Sequence, residues 1–338
     1  MTDLNLTTAR LGVLAALHEG DAGVAHQLVT ALMADGYPFA RLLDELLAPI
    51  QSESGRRWLV GDYTIAEEHA STAAAETLVA TLAGAFDQPA DGTHVLVACA
   101  EDEAHTLPAR MAAALLLAEG HRVTFLGSSV PAADLVEFTR DLEPDAAVVS
   151  CTLTTHLLGA RATVRALHDA GVPVLVGGAA FGTDARRAHL IGADAWVASL
   201  SELPGLLEGW APSPVDAEAG AVPIGAEVRA LEDDAPGVAQ RLTVALLERH
   251  GDGGDRSRLL AVRADAEQLH AAATTATWLG DPDLLADHAR WFASLLDAQG
   301  RASTAADLLD AYEAALEGRH PVAADVLAGA RARLDAAT

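Results

Sequence analysis

Cationic side chains are scarce in this sequence: 22 lysines and arginines stand against 48 aspartates and glutamates, for a formal charge of −26. A chain so charged repels a phosphate backbone and an anionic membrane surface alike, which sets nucleic acid and lipid aside as direct partners. Only two cysteines occur, Cys99 and Cys151. Both fall within or just after predicted strands and are expected to fill core rather than pair, which suits a reducing cytoplasm. No apolar run approaches about 18 residues and no charged-then-apolar leader opens the chain, so neither membrane spanning nor secretion is indicated. Gly-x-Gly-x-x-Gly and Gly-x-x-x-x-Gly-Lys are both missing, and a nucleotide site loses its usual support.

What is present is apolar residue, 51% of a 338-residue chain, enough for two or three domains with cores of their own. Residues 1–88 read as a four-helix bundle, with apolar positions at three- and four-residue spacing in Leu11, Leu14, Leu17 and in Leu42, Leu43, Leu46, Leu47. Gly20-Asp21, Asp35-Gly36-Tyr37-Pro38 and Gly61-Asp62-Tyr63-Thr64 punctuate it. Residues 89–210 alternate strand with helix. Strands are expected at 94–99, 122–126, 146–150, 172–176 and 195–198, a five-stranded doubly wound Rossmann-like unit. Residues 211–223 are proline- and glycine-rich, aperiodic, and read as a linker. From 224 to 338 the pattern returns to helix, with breaks at Gly251–Gly254, Gly280-Asp281-Pro282, Gly300 and Gly318–Pro321 that divide it into about five helices. The fold class is thus α/β plus all-α.

The chemistry begins where the first strand, ending at Cys99, breaks into an acidic loop with Glu103-Ala104-His105. Carboxyl ends of strands are where open α/β sheets bind ligands. A neutral imidazole is a good metal ligand, and a neighbouring carboxylate can hold its other ring N–H. A plain surface histidine, one of 13, explains the same residues. The other strand ends carry Gly127-Ser128-Ser129, Ser150-Cys151-Thr152 and Gly177-Gly178, small residues that make room and offer hydrogen bonds. Gly177-Gly178 also suits a simple turn. Upstream in the bundle stand Trp58 and, after nine residues, Glu68-His69. They converge only if the helices on either side of Gly61 meet at a corner; otherwise they are a core tryptophan and a solvated pair.

Taken together, Trp-x9-Glu-His, Glu-x-His-x-x-Pro, Ser-x-Thr and Gly-Gly in that order resemble the cobalamin-binding module of adenosylcobalamin-dependent photoreceptors, over residues 4–207. The resemblance implies that His105 is the lower axial ligand of cobalt, with Glu103 behind it. It implies further that Gly127, Ser150, Thr152, Gly177 and Gly178 accommodate the displaced dimethylbenzimidazole tail, and that Trp58, Glu68 and His69 cap the upper face over the adenosyl group. Two departures stand out. Glu103 and Pro108 occupy positions that are aspartate and glycine in the wider cobalamin-binding pattern. Light-regulated repressors of this type carry a histidine directly after the tryptophan, where this chain has Leu59, so a bis-histidine photoproduct through that position is not expected. Those repressors also have an N-terminal DNA-binding domain, whereas this sequence opens on the bundle.

In the C-terminal helices Arg256, Arg258, Arg263, His270, Trp278, His288, Arg290 and Trp291 stand out from an alanine-rich background. His270, Trp278, His288 and Trp291 could face one groove suited to a flat conjugated ligand bearing carboxylates; an amphipathic dimerisation bundle fits the pattern equally. A cobalamin module followed by such helices resembles the photocobilins, which hold cobalamin and biliverdin side by side. With no cysteine beyond Cys151, such a bilin would be held noncovalently. The expectation is a cytoplasmic light sensor without enzymatic turnover, signalling through domain arrangement, oligomeric state or an effector protein. Two alternatives stay open: a corrinoid methyl carrier for a methyltransferase, which shares His105, Ser150 and Gly177-Gly178 but has no need of the Trp58 to His69 cap, and a module that only dimerises.

Overall fold

The computed structural model describes residues 4–89, 91–208, 221–250, 256–301 and 303–336. Residues 211–220 of the expected linker and the break at Gly251–Gly254 lie outside the described residues. The chain divides into two compact units, Met1–Ala221 and Val222–Thr338.

The first unit opens with α1 (Leu4–His18) and α2 (Ala22–Ala34), the latter started by the Asp21 carboxylate, which accepts from Val24 N at 2.9 Å. Pro38 precedes α3 (Phe39–Leu42), which runs through a five-residue π-helical segment, Leu43–Leu47, into α4 (Ala48–Leu59). The widened turn has a local cause. Pro49 has no N–H for the carbonyl four residues back and its ring would collide with it, and i→i+5 bonding relieves both. After a corner at Gly61, whose φ of +79° favours glycine, α5 (Ile65–Ala83) begins at a capping box of Thr64 and Glu67. Leu17, Val29, Leu42, Leu46 and Leu78 of these helices are buried together with Met111 and Leu115 from a helix of the sheet region. The bundle and the sheet region thus share one core.

The sheet holds β1 (His94–Cys99), β2 (Arg122–Gly127), β3 (Ala146–Ser150), β4 (Val174–Gly177) and β5 (Ala195–Val197), all parallel, in the order β2-β1-β3-β4-β5. Between and after them run α6 (Leu107–Ala118), α7 (Ala132–Leu142), α8 (Leu157–Asp169), α9 (Arg186–Leu190) and α10 (Leu203–Glu208). β1 and β3 are buried throughout, as expected for unbroken apolar strands covered on both faces. β4 starts two residues later than the expected 172, past Pro173, which has no N–H for the ladder. The order reverses between β1 and β3, so the loops leaving these strands diverge to opposite faces and open a crevice at their carboxyl ends. Register aligns the ends: Cys99 lies opposite Ser150, Ser150 opposite Gly177, and Gly177 opposite Val197.

The second unit comprises α11 (Ala226–Asp233), α12 (Ala235–His250), α13 (Arg256–Leu279), α14 (Pro282–Ala298), α15 (Ala305–Leu316) and α16 (Pro321–Asp335). The break not anticipated is at Asp234, where Pro236 bars α11 from continuing. Its core includes Leu231, Leu242, Leu269, Phe292 and Tyr312.

Candidate functional site

Glu103 is fully buried in the loop after β1, and its carboxylate accepts five hydrogen bonds. Oε1 takes His105 N at 2.9 Å and His105 Nδ1 at 2.5 Å. Oε2 takes Thr152 N at 2.7 Å, Leu153 N at 3.1 Å and His156 Nδ1 at 3.2 Å. Burial pushes the Glu103 carboxyl upward, but the bonds from His105, His156 and the backbone outweigh it and hold the group well below the usual carboxylate range. An ionised carboxylate can only accept, so Nδ1 of His105 carries the proton. The ring's other nitrogen, Nε2, keeps its lone pair in the neutral form. The same carboxylate raises the affinity of the His105 ring for a second proton, against the opposing effect of burial.

His105 lies on the wall of a cavity of about 600 Å³. The sheet side of the wall includes Ser150, Thr152, Gly177 and Gly178, and the bundle side includes Gln51, Trp58, Glu68 and His69. The corner at Gly61 therefore brings Trp58 and the Glu68-His69 pair to one space. Polar contacts hold the two helices there: the Gln51 amide donates to Thr72 Oγ1, which donates to Glu68 Oε1 at 2.8 Å, and the buried Ser54 and Ser71 hydroxyls lie 3.4 Å apart. His69 keeps 71% of its side chain exposed, with Nε2 3.9 Å from Glu68 Oε2. α5 is also tied to the loop that carries His105, because the Thr106 hydroxyl donates to Glu76.

Each small residue at the strand ends has a distinct local reason. A Cβ on Gly178 would come 2.3 Å from the Cys151 carbonyl oxygen at a φ of +108°, so the close approach of β3 and β4 alone requires glycine there. A Cβ on Gly177 would meet only ordinary contacts. Its absence leaves room in the cavity rather than in the fold. Ser150 Oγ and Thr152 Oγ1 are buried with no hydrogen-bond partner among the described residues, an arrangement that costs stability unless a ligand or water completes it. Gly127 ends β2 at a φ of +79° and is not among the residues lining the cavity. The irregular β1–β2 register at Val97–Ala98 sets that strand end apart from the aligned row.

Several contributors carried no readable signal. Asp44, in the π-helical segment, lines the cavity and accepts from Leu200 N at 3.0 Å and Ser201 N at 2.9 Å, clasping the bundle to the sheet region. Gln51, Trp196 and His156 likewise belong to no spacing pattern that could have marked them.

In the second unit His270 is a core residue: Nδ1 lies 3.0 Å from the Tyr312 hydroxyl and Nε2 donates to Leu231 O at 3.1 Å. Trp278 is buried and its Nε1–H donates to Val222 O at 3.1 Å. Those ring nitrogens are therefore already engaged, not turned to a groove. His288 packs against Trp291 and Phe292, with ring centroids 5.4 and 5.9 Å away, and its Nε2 has no partner among the described residues.

Among the described residues no group of three or more His, Cys, Asp or Glu could hold a metal ion. One backed imidazole on a large, mostly apolar cavity cannot retain a bare ion, but it can fill one axial position of a metal whose other ligands come from a macrocycle. The partnerless hydroxyls and the space at Gly177 fit such a group.

Comparison with known proteins agrees with that chemistry. Residues 93–203 match the family model described as a B12 binding domain, and residues 12–83 match a second model with the same description. The chain is 32% identical over 176 residues to the HTH-type transcriptional repressor CarH of Myxococcus xanthus, a span of 51% of this chain and 58% of that protein. The chain thus spans little more than half the length of that relative. Together these matches support a cobalamin-binding module. Among solved structures, the monomethylamine corrinoid protein of Methanosarcina barkeri is 19% identical, with 58% of this chain and 94% of that one covered and a TM-score of 0.49. A cobalamin-binding protein from Desulfitobacterium hafniense is 22% identical, covering 62% and 99%, with a TM-score of 0.33. The methanol:cobalamin methyltransferase complex MtaBC of M. barkeri is 19% identical, covering 62% and 83%, with a TM-score of 0.31. At these TM-scores the three likenesses carry no weight for function.

Proposed function

We propose that this chain is a light sensor that binds adenosylcobalamin, with His105 as the lower ligand of cobalt, and answers illumination through the placement of its bundle, its oligomeric state or an effector protein. The observation that carries this reading is the cavity in which the Glu103-backed His105 of the sheet region meets Trp58, Glu68 and His69 of the bundle. When bound, the cofactor would supply a cobalt–carbon bond that light can break.

The chain's own residues have definite tasks in this reading. Glu103 fixes the His105 tautomer so that Nε2 presents its lone pair. Ser150, Thr152 and Gly177 would hold the cofactor, the two hydroxyls gaining partners that the described residues do not give them. Trp58 would present an apolar ring to the bound group while Glu68 and His69 would offer it polar contacts, and Leu59 can supply no ligand to cobalt. The ties from Thr106 to Glu76 and from Asp44 to Leu200 and Ser201 would carry a change at the ligand to the bundle. The proposal includes no catalytic turnover.

The test is the absorption spectrum of the chain loaded with adenosylcobalamin, taken in the dark and after green light. A light-dependent change that is altered in His105→Ala supports the sensor. A dark-stable, light-insensitive cofactor would favour the methyl carrier instead. For the C-terminal helices we propose a noncovalently held bilin such as biliverdin, to which the unpartnered His288 ring nitrogen and the neighbouring Trp291 could contribute. Coexpression with a bilin supply tests it: far-red absorption that survives purification and weakens in His288→Leu supports the bilin, and a colourless product removes it.

A further inference from the structure

Beyond His105, a second imidazole reaches the Glu103 carboxylate. His156 sits on the short 3-10 turn Thr154–His156 between β3 and α8, with 22% of its side chain exposed, and it belongs to none of the motifs above. Two contacts hold that turn against the β1 loop. A Cβ on Gly159 would come 2.2 Å from the Glu101 carbonyl oxygen, so glycine lets the first turn of α8 approach. Thr163 Oγ1 accepts from Glu101 N at 2.9 Å, one helical turn further on. His156 is thus delivered to Glu103 by a backbone fit.

A glutamate has one more methylene and one more torsion than the aspartate of the wider pattern, and a ligand-backing carboxylate must lose that extra freedom to hold a ring still. The near oxygen, Oε1, is wholly committed to His105. The far oxygen, Oε2, is gripped by consecutive amides at Thr152 and Leu153 on one side and by the His156 ring, through Nδ1, on the other. We infer that His156 is a positioning residue for the cobalt ligand: it pins Oε2 of Glu103 so that Oε1 keeps the His105 ring oriented with Nε2 toward the cavity. This rests on the cobalamin reading above.

The test uses the full chain with His156→Ala and His156→Asn, adenosylcobalamin in the dark, and three readouts: affinity by titration, the spectral fraction with histidine on cobalt, and the melting curve of the unloaded chain. Loss of an outer partner of a metal ligand typically weakens binding by about 10- to 100-fold. We expect about a tenfold loss or more in His156→Ala, with a larger histidine-off fraction. His156→Asn, whose amide nitrogen can stand where Nδ1 stands, restores most of both. Where alanine prevents folding, His156→Phe against His156→Asn makes the same comparison. Wild-type affinity and spectrum in His156→Ala, or equal losses in the alanine and asparagine variants, would overturn the inference while leaving the cofactor reading intact. A wild-type spectrum indistinguishable from that of His105→Ala would instead remove the cofactor reading and this inference with it.

Discussion

His288 shows what burial does to a single titratable side chain in this protein. It is packed against Trp291 and Phe292 with no partner for Nε2 among the described residues, and burial pushes its pKa down to about 4. The unfolded chain protonates this ring below about pH 6.5 while the folded chain resists until about pH 4, so between these values the unfolded state binds more protons. Stability must therefore fall as pH drops through that window, by up to about 3 kcal/mol if the whole shift is realised. His270, also lowered chiefly by burial, acts in the same direction. Denaturant melts of wild type and His288→Leu from pH 7 to pH 4 check this: the variant should lose part of the acid dependence, and parallel curves would contradict it. Glu103 is the opposite case, since its carboxylate stays ionised far below this window.

Among the elements, the long helix from Phe39 to Leu59 decides whether a site exists. Its π-helical segment adds one residue to a turn, and each added residue rotates the remainder of the helix by about 100° about its axis. Gln51 and Trp58 face the cavity in that phase, and Asp44 within the segment reaches Leu200 and Ser201. Deleting Glu45, an exposed residue of the segment, removes one residue ahead of α4 and should turn these side chains away from the cavity. Far-UV circular dichroism should then keep its helical amplitude while cobalamin uptake is lost. Normal uptake by the deletion variant would show that the π turn has no part in shaping the cavity.

At the scale of the whole molecule the dominant fact is charge. All 22 cations are arginines, and 48 carboxylates leave an excess of −26. Many of the arginines are paired, such as Arg41 with Glu45, Arg57 with Glu53 and Arg249 with Asp307, but on surfaces where a pair is worth about 0–1 kcal/mol. Salt weakens those pairs and also screens the repulsion among the unmatched carboxylates, and the second effect should win because the excess is so large. Raising ionic strength from about 0.01 to about 1 M, which shortens the screening length from about 30 to about 3 Å, should raise the melting temperature. A fall on adding sodium chloride would mean that the ion pairs matter more than the net charge.

Much of this architecture is legible without coordinates because it is local. The apolar runs at 94–99 and 146–150 mark β1 and β3 to the residue, and the Glu103–His105 loop begins where the first run stops. Proline shifts or adds a boundary where it removes a donor, at Pro173 and Pro236. What sequence alone left open is every relation between distant segments. Whether Trp58 and His69 face His105, whether His270 serves a ligand or Tyr312, and that His156 completes the seat of Glu103 all depend on how whole elements pack. Periodicity sets the face a residue occupies on its own helix or strand. The neighbour that face meets, tens of residues away, is chosen by the shape of the shared core, and only the tertiary structure contains it.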